Sequence, residues 1–207
     1  MKTHHIALSL LAATAMLGQG AAQAADTGGY VGGGVGQSSF DINGSELDAL
    51  LADDGITATT SVDDSDTAWK LFGGYRMHPN FGVEVAYVDY GTPTTQSTVT
   101  APSVGTVNID MDVTAWTFDA VAFLPLGGGF ELFGKAGAAL WDIDAGVSGT
   151  GGGGAFGGSA DDDGSDFHFG VGASYAFTDN FRIRAEWERI NADDDLDVWT
   201  VSAVLGF

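Results

Sequence analysis

The 207-residue chain carries 28 acidic against 7 basic side chains, a formal charge of −21, and no cysteine. That balance excludes a nucleic-acid partner, which needs Lys and Arg against phosphate, and leaves neither a disulfide framework nor a thiolate metal site. Disorder is excluded as well, because 44% of the residues are hydrophobic and 11% aromatic, more than an acidic disordered chain carries.

The N-terminus predicts a secretory signal peptide over residues 1–24, with the mature domain spanning 25–207. Lys2 supplies the positive region, Ile6 to Leu17 the apolar region, and Ala22-Gln23-Ala24 the cleavage site. The apolar run is shorter than the roughly 20 residues a membrane helix needs. Beyond it, period-2 alternation dominates and predicts eight strands. The first runs over 29–40 and is glycine-rich. The second, 67–77, sends Trp69, Leu71, Tyr75 and Met77 one way and Lys70, Phe72, Gly74 and Arg76 the other. After a turn at His78-Pro79-Asn80, the third (81–90) sets Phe81, Val83, Val85 and Tyr87 against Gly82, Glu84, Ala86 and Val88. The fourth, 112–124, separates Trp116, Phe118, Ala120, Ala122 and Leu124 from Thr117, Asp119 and Val121. A turn around Pro125–Gly129 leads to the fifth (130–141), with Glu131, Lys135 and Gly137 on its polar face. The sixth (167–177) alternates Phe167, Phe169, Val171, Ala173, Tyr175 and Phe177 with His168, Gly170, Gly172, Ser174 and Ala176. The seventh, from Phe181, sets Ile183, Ala185 and Trp187 against Arg182, Arg184, Glu186 and Glu188. The eighth, 197–207, ends on Phe207 with Trp199, Val201, Ala203 and Leu205 on one face.

The connections differ at the two ends. Those after the second, fourth and sixth strands are short. Those after the first, third and fifth read as long polar loops, and Asp161-Asp162-Asp163 and Asp193-Asp194-Asp195 add acid to the same end. An even number of roughly ten-residue strands with this alternation of turns and loops is the pattern of an outer-membrane barrel. The fold expected is therefore all-β: an eight-stranded antiparallel up-and-down transmembrane barrel, with both termini periplasmic and the acidic loops outside.

A soluble sandwich also alternates, so the position of the charges decides. Lys70, Arg76, Glu84, Asp119, Glu131, Lys135, Arg182, Arg184, Glu186 and Glu188 all fall on the polar face of their strands. Of the basic residues after the signal peptide, Arg189 alone has the other parity, at the outer end of its strand. A basic side chain at mid-bilayer costs about 2–4 kcal/mol, so the charges belong inside and the aromatic residues outside. A lipocalin-type barrel needs the reverse. Eight strands enclose a space only wide enough for side chains, which predicts a plugged lumen held by ion pairs, since isolated charges there are costly. Constant facing through the turns sets Asp119 opposite Lys135, Ser174 opposite Arg184, Gly172 opposite Glu186 and Gly74 opposite Glu84.

These segments resemble the outer-membrane protein A (OmpA) family of eight-stranded barrels. The resemblance rests on Leu71-Phe72-Gly73-Gly74-Tyr75-Arg76 followed by Phe81-Gly82-Val83-Glu84-Val85-Ala86-Tyr87, on Leu124-Pro125-Leu126 with Gly134-Lys135-Ala136-Gly137, and on Phe169-Gly170-Val171-Gly172-Ala173-Ser174-Tyr175 with Arg184-Ala185-Glu186-Trp187. It implies that Glu84 and Arg184 form the family's inward salt-bridge gate. Val121 stands near the family's inward lysine, so the resemblance does not carry the lysine alternative. The peptidoglycan-binding domain of the family's namesake is not expected after the last strand. Phe207 matches the C-terminal signal read by the barrel-assembly machinery.

Other motifs point elsewhere only weakly. Gly32-Gly33-Gly34-Val35-Gly36 lacks the strand–loop–helix context of a nucleotide loop. The Asp161–Asp166 run has Gly172 where a calcium loop needs its last glutamate. His168, Ser174 and Asp119 sit at different depths, so no catalytic set is expected. The chain therefore predicts a monomeric, non-enzymatic, cofactor-free envelope protein of a Gram-negative outer membrane. Its partners would be membrane lipid and lipopolysaccharide, bridged by divalent cations. A small gated conduit for ions or solutes is the alternative.

Overall fold

The computed structural model describes residues 27–40, 45, 48–49, 52, 56–63, 65–101, 104–151, 154–191 and 195–207. The expected signal peptide and the acidic run at 193–194 lie outside them. Among these residues the chain forms ten strands: β1 (Gly28–Phe40), β2 (Thr57–Asp63), β3 (Ser65–His78), β4 (Phe81–Asp89), β5 (Thr94–Ala101), β6 (Gly105–Gly127), β7 (Phe130–Gly151), β8 (Gly154–Ala176), β9 (Phe181–Asn191) and β10 (Leu196–Gly206).

Eight of them close a ring. The order β6-β4-β3-β1-β10-β9-β8-β7 returns to β6 through an additional β6–β7 pairing, every neighbour antiparallel. The seam between first and last strands is tight: the Phe207 N–H donates to the Gly29 carbonyl at 2.9 Å. The inward parity carries the ten charged residues, and the outward parity carries Leu71, Val83, Phe118, Leu132, Val171, Val201 and Leu205, all exposed. Such a wall is stable only if lipid covers it, since soluble monomers do not expose apolar bands of that extent.

Short turns close one end, and each is dictated locally. Between β6 and β7 the loop is Gly128-Gly129, with φ of +63° and +86°, the left-handed pair a two-residue hairpin requires. This turn is tighter than the Pro125–Gly129 connection expected from sequence, and a bulge at Leu126 accompanies it. Asp119 therefore pairs with Gly137, and Lys135 with Val121. The expected Asp119–Lys135 opposition is off by two residues, although both side chains still face the lumen. The other three oppositions, Gly74 with Glu84, Gly172 with Glu186 and Ser174 with Arg184, are present.

The largest departure lies at the other end, here called the rim. The stretches read as loops after the third and fifth strands are β-structure. β6, β7 and β8 are 23, 22 and 23 residues long, whereas β4 has 9 and β9 and β10 have 11 each. Their upper halves join β2 and β5 into a five-stranded sheet, β2-β5-β6-β7-β8, that rises from one side of the ring. An elbow at Tyr90–Pro93 steers β4 into β5. There the Asp66 carboxylate accepts the Thr92 and Thr67 N–H groups at 2.6 Å each. Gly91, at φ +83°, lies where a Cβ would meet that carboxylate at 2.7 Å.

Alternation continues through this sheet with weaker contrast. Facing the mouth of the ring are Val62, Thr95, Val99, Val107, Ile109, Met111, Ile143, Ala145 and Val147, with Phe156, Ala160 and the carboxylate of Asp162 on β8; facing away are Thr94, Gln96, Asn108, Asp110, Asp112, Asp142, Asp144, Asp161 and Asp163.

Candidate functional site

Among the described residues, the lumen is where buried side chains of both charge signs from many strands converge, and the strand parity puts them there. Near the turn end, Glu131 of β7 sits between Arg76 of β3 at 2.7 Å and Arg182 of β9 at 3.1 Å, and Arg76 also donates to the Pro79 carbonyl. The Arg76 guanidinium stacks over Phe123 at 4.1 Å.

Midway along the lumen lies a larger cluster. Arg184 donates to both oxygens of Glu84, at 2.6 and 3.2 Å, and to Glu186 at 2.7 Å. Its guanidinium lies 3.9 Å from the Phe133 ring centre and 4.9 Å from that of Phe72. Lys70 bridges Glu186 and Glu188, and Lys135 reaches Glu188 as well as Glu84 and Glu186, the latter two at 3.3 Å. Tyr30 donates to Glu84 at 3.0 Å and Thr200 to Glu186 at 3.3 Å. Lys70, Glu84, Lys135, Glu186 and Glu188 are at most 1% exposed in their side chains. Buried charges of this kind survive only in mutual pairing, because each ion left alone costs several kcal/mol.

Small residues make room for them. A Cβ on Gly170 would stand 3.0 Å from Glu188 Cγ and 3.1 Å from Lys135 Cε. A Cβ on Gly137 would collide with the Phe118 carbonyl at 1.9 Å and the Asp119 carboxylate at 2.7 Å. With glycine there, Asp119 of β6 reaches across β7 to the His168 Nδ1 of β8 at 2.8 Å.

Lys70, Arg76, Glu84, Glu131, Lys135, Arg182, Arg184, Glu186 and Glu188 are thus joined in cation–carboxylate pairs, while Asp119 is held by a histidine instead of Lys135. Sequence reasoning left two members out. His168 enters the sequence reading only as a catalytic candidate at a different depth from Asp119; the structure overturns that separation, since the two meet at 2.8 Å across Gly137, and the inward parity of His168 on the sixth predicted strand already placed it in the lumen. Tyr30 sits on the glycine-rich first strand, whose facing is ambiguous without its neighbours.

Above the ionic cluster the lumen changes character. Val88, Tyr90, Val113, Ala115, Ala139, Ile190, Leu196 and Val198 are buried against one another, with Phe40, Met111, Trp141 and Ile143 packed on them. The rim mouth is filled by this apolar cap, which the expectation of a wholly polar lumen did not include. Its residues share the inward parity but lie beyond the last charged position of each strand, a change of polarity with height that alternation alone does not show.

The outer surface carries two aromatic belts. Toward the rim, Trp69, Tyr87 and Trp116 form a chain of ring contacts at 5.5 and 5.3 Å, and Phe169, Trp187 and Trp199 another at 5.6 and 6.4 Å. At the turn end, Phe130, Tyr175, Phe177 and Phe181 follow one another at 4.6, 4.9 and 6.0 Å. Belts flanking an apolar band mark the two interfaces of a bilayer. Arg189, of outward parity, pairs with Asp195 at 2.8 Å and Asp197 at 2.6 Å above the rim belt. Among the described residues no group of three or more His, Cys, Asp or Glu is arranged to hold a metal ion.

The pattern of the outer membrane protein beta-barrel domain matches residues 8–207. The chain belongs to that family. The outer-membrane barrel fold is shared with Ail, the attachment invasion locus protein of Yersinia pestis, at 15% identity and a TM-score of 0.53, over 87% of this chain and 99% of that one. Neisserial surface protein A matches at 15% identity and a TM-score of 0.52, over 86% and 97% respectively. None of the curated proteins compared with the sequence matches it. The protein is a bacterial outer-membrane barrel, one of a family of small non-enzymatic barrels.

Proposed function

We propose that this outer-membrane barrel is a sealed anchor that stabilises the envelope and displays its acidic sheet at the cell surface. The observation that carries the reading is the double closure of the lumen. The pairs joining Lys70, Glu84, Lys135, Arg184, Glu186 and Glu188 block it midway, and the cap around Tyr90 and Ile190 fills it above. Transmembrane barrels of this class keep short turns in the periplasm and long segments outside. Both termini and Phe207 would then be periplasmic, with Phe207 available to the assembly machinery, and the five-stranded sheet extracellular. The acidic sheet face that continues the lipid-facing wall would meet lipopolysaccharide phosphates through divalent cations. Ail was crystallised with the heparin analogue sucrose octasulfate; a polyanion of that kind is a poor fit to a chain of charge −21.

One observation favours the conduit reading. Lys135 contacts Glu84 at 3.3 Å while Arg184 holds the same carboxylate, and Lys135 pairs directly with Val121, where the resemblance would have a lysine. Glu84 thus has two cations to choose between, as a gate needs. The cap above it weighs against passage. Planar-bilayer conductance of the refolded mature barrel, wild type beside Arg184→Ala, separates the two. Silence from both folded proteins supports the anchor; discrete steps that grow in the variant replace it with the gated conduit.

A further inference from the structure

Cations and carboxylates do not balance at every height of the lumen. Midway, Lys70, Lys135 and Arg184 stand against Glu84, Glu186 and Glu188, three charges of each sign paired among themselves. Toward the turns, Arg76 and Arg182 share Glu131, and the Arg182 side chain is 25% exposed, so water takes up the surplus. Asp119 is a fourth carboxylate at mid-lumen, and among the described residues no lysine or arginine pairs with it. Its side chain is fully buried, its Oδ2 has no hydrogen-bond partner, and its Oδ1 meets His168. A buried carboxylate without a cation is costly. The middle of the lumen therefore carries one negative charge more than its lysines and arginine balance.

His168 stands between that carboxylate and another. Its Nδ1 lies 2.8 Å from Asp119 Oδ1 and its Nε2 3.5 Å from Glu188 Oε1, with no hydrogen bond to Nε2 from elsewhere. A neutral imidazole has one N–H and one lone pair. Whichever nitrogen carried the lone pair would aim it at a carboxylate oxygen. The imidazolium presents an N–H to both sides and supplies the missing positive charge. The other charged groups at this height are already committed. Lys135 of β7 and Lys70 of β3 are taken up by the glutamates, and Glu84 of β4 by Arg184. β10 brings Val198 and Thr200, neither of them titratable. Tyr90, buried at the elbow, is a phenol, a group that ordinarily titrates at about pH 10.

We propose that His168 is a proton latch: its imidazolium ties Asp119 of β6 to Glu188 of β9, and loss of that one proton loosens the closure of the lumen. The latch sits where the two closures meet, because His168 is in register with Ile190 of the apolar cap. Without the proton, a carboxylate faces a lone pair directly beneath the cap. The folded lumen then holds a proton that the unfolded chain gives up, so stability falls as pH rises. A lumen held by carboxylate pairs alone weakens in the opposite direction, as acid protonates them. The latch goes beyond the anchor reading and holds whether or not the barrel ever conducts.

The mature domain has two histidines, His78 and His168, so His78→Gln leaves one imidazole to observe. Nitrogen-15 NMR of this barrel in lipid nanodiscs distinguishes a doubly protonated ring from either neutral tautomer. At about pH 7.5 an ordinary histidine, titrating near 6.5, is about one-tenth charged; the expected spectrum for His168 is the doubly protonated one. Asp119→Asn removes the surplus anion and is expected to return the ring to a neutral tautomer at the same pH. A neutral ring in the barrel with Asp119, or a ring charge that Asp119→Asn leaves unchanged, overturns the proposal. The NMR of the His78→Gln barrel needs no change in the lumen, so it decides even where a lumen variant fails to fold. Urea unfolding between about pH 6.5 and 9 is the second readout, parent beside His168→Gln. One proton held by the folded state alone raises the unfolding constant by up to tenfold per pH unit. That rise is expected in the parent and not in His168→Gln. Parallel curves, which a merely structural ring would give, overturn the latch.

Discussion

The ring and the sheet above it are built from the same strands, yet they obey different rules. Within the ring, β6 alternates Trp116, Phe118 and Ala120 outward with Thr117, Asp119 and Val121 inward, and β9 sets Ile183 and Ala185 against Arg184 and Glu186. Lipid on one side and a narrow lumen on the other penalise any exchange of the two sets. Above the rim belt, the same β6 sends Asp110 and Asp112 to the side that carried tryptophan lower down, and Met111 and Ile109 to the side that carried Asp119. Water replaces lipid, so the outward parity turns acidic, and the inward parity turns apolar because the cap, not an ion pair, lies beneath it. Facing is conserved along a strand; polarity follows the medium at each height.

That comparison is sharpened most strongly inside the ring. Arg184→Ala leaves the buried Glu84 and Glu186 with fewer cations, and breaking a buried pair from one side costs about 3–5 kcal/mol. The expected result is a large drop in the urea midpoint of the mature barrel in detergent micelles, followed by the shift between folded and heat-unfolded forms on gels. An unchanged midpoint would mean that the network contributes little to stability, and would favour a gating role for these residues.

Next comes the outward parity at two heights. Ala120 sits mid-band on β6, exposed among apolar neighbours; Ala120→Arg is expected to cost about 2–4 kcal/mol. Asn108 has the same parity on the same strand above the rim. Asn108→Arg is expected to fall within about 0.5 kcal/mol of the parent, as substitutions on a wetted surface do. Equal losses at the two sites would contradict the change of medium between them. The cap is expected to match the larger of these values. Ile190 is 2% exposed, and Ile190→Ala is expected to cost about 2–4 kcal/mol through the cavity it leaves.

The ring was legible in the sequence because each of its strands carries its own contrast. Arg182, Arg184, Glu186 and Glu188 at every second position, with Ile183, Ala185 and Trp187 between them, admit one facing only. Pairing register was less legible. Sequence placed Asp119 opposite Lys135, and the tight Gly128-Gly129 turn with its bulge moved the partner to Gly137. Choice of salt-bridge partner is three-dimensional: Asp119 meets His168 across an intervening strand because Gly137 has no side chain there. The upper sheet was not legible at all. In Thr94-Thr95-Gln96-Ser97-Thr98 and, apart from Phe156, in Gly154–Asp163 both faces are small or polar, and the pairing is carried by backbone groups that a hydrophobicity pattern cannot register. The cap hid in the same way, as an inward parity that stays constant while its chemistry changes.

The smallest effect tests the upper sheet on its own terms. Two rows of side chains cross it in register, Asp112–Asp144–Asp161 and Thr114–Asp142–Asp163. Like charges directly opposite on neighbouring strands oppose the pairing, at roughly 0.2–1 kcal/mol per contact. These carboxylates are exposed, so salt screens most of that repulsion within about 10 Å at 0.1 M. Replacing Asp161 and Asp163 by Asn is therefore expected to stabilise the β7–β8 hairpin by a few tenths of a kcal/mol at low salt, with the gain shrinking as salt is added. Amide hydrogen exchange in the upper halves of β7 and β8 measures it, because local opening there is independent of the ring. Protection that rises in the variant and converges with the parent at high salt is the expected outcome. Protection that falls would show that the acidic rows hold the sheet together, through a bound cation or another bridge between them.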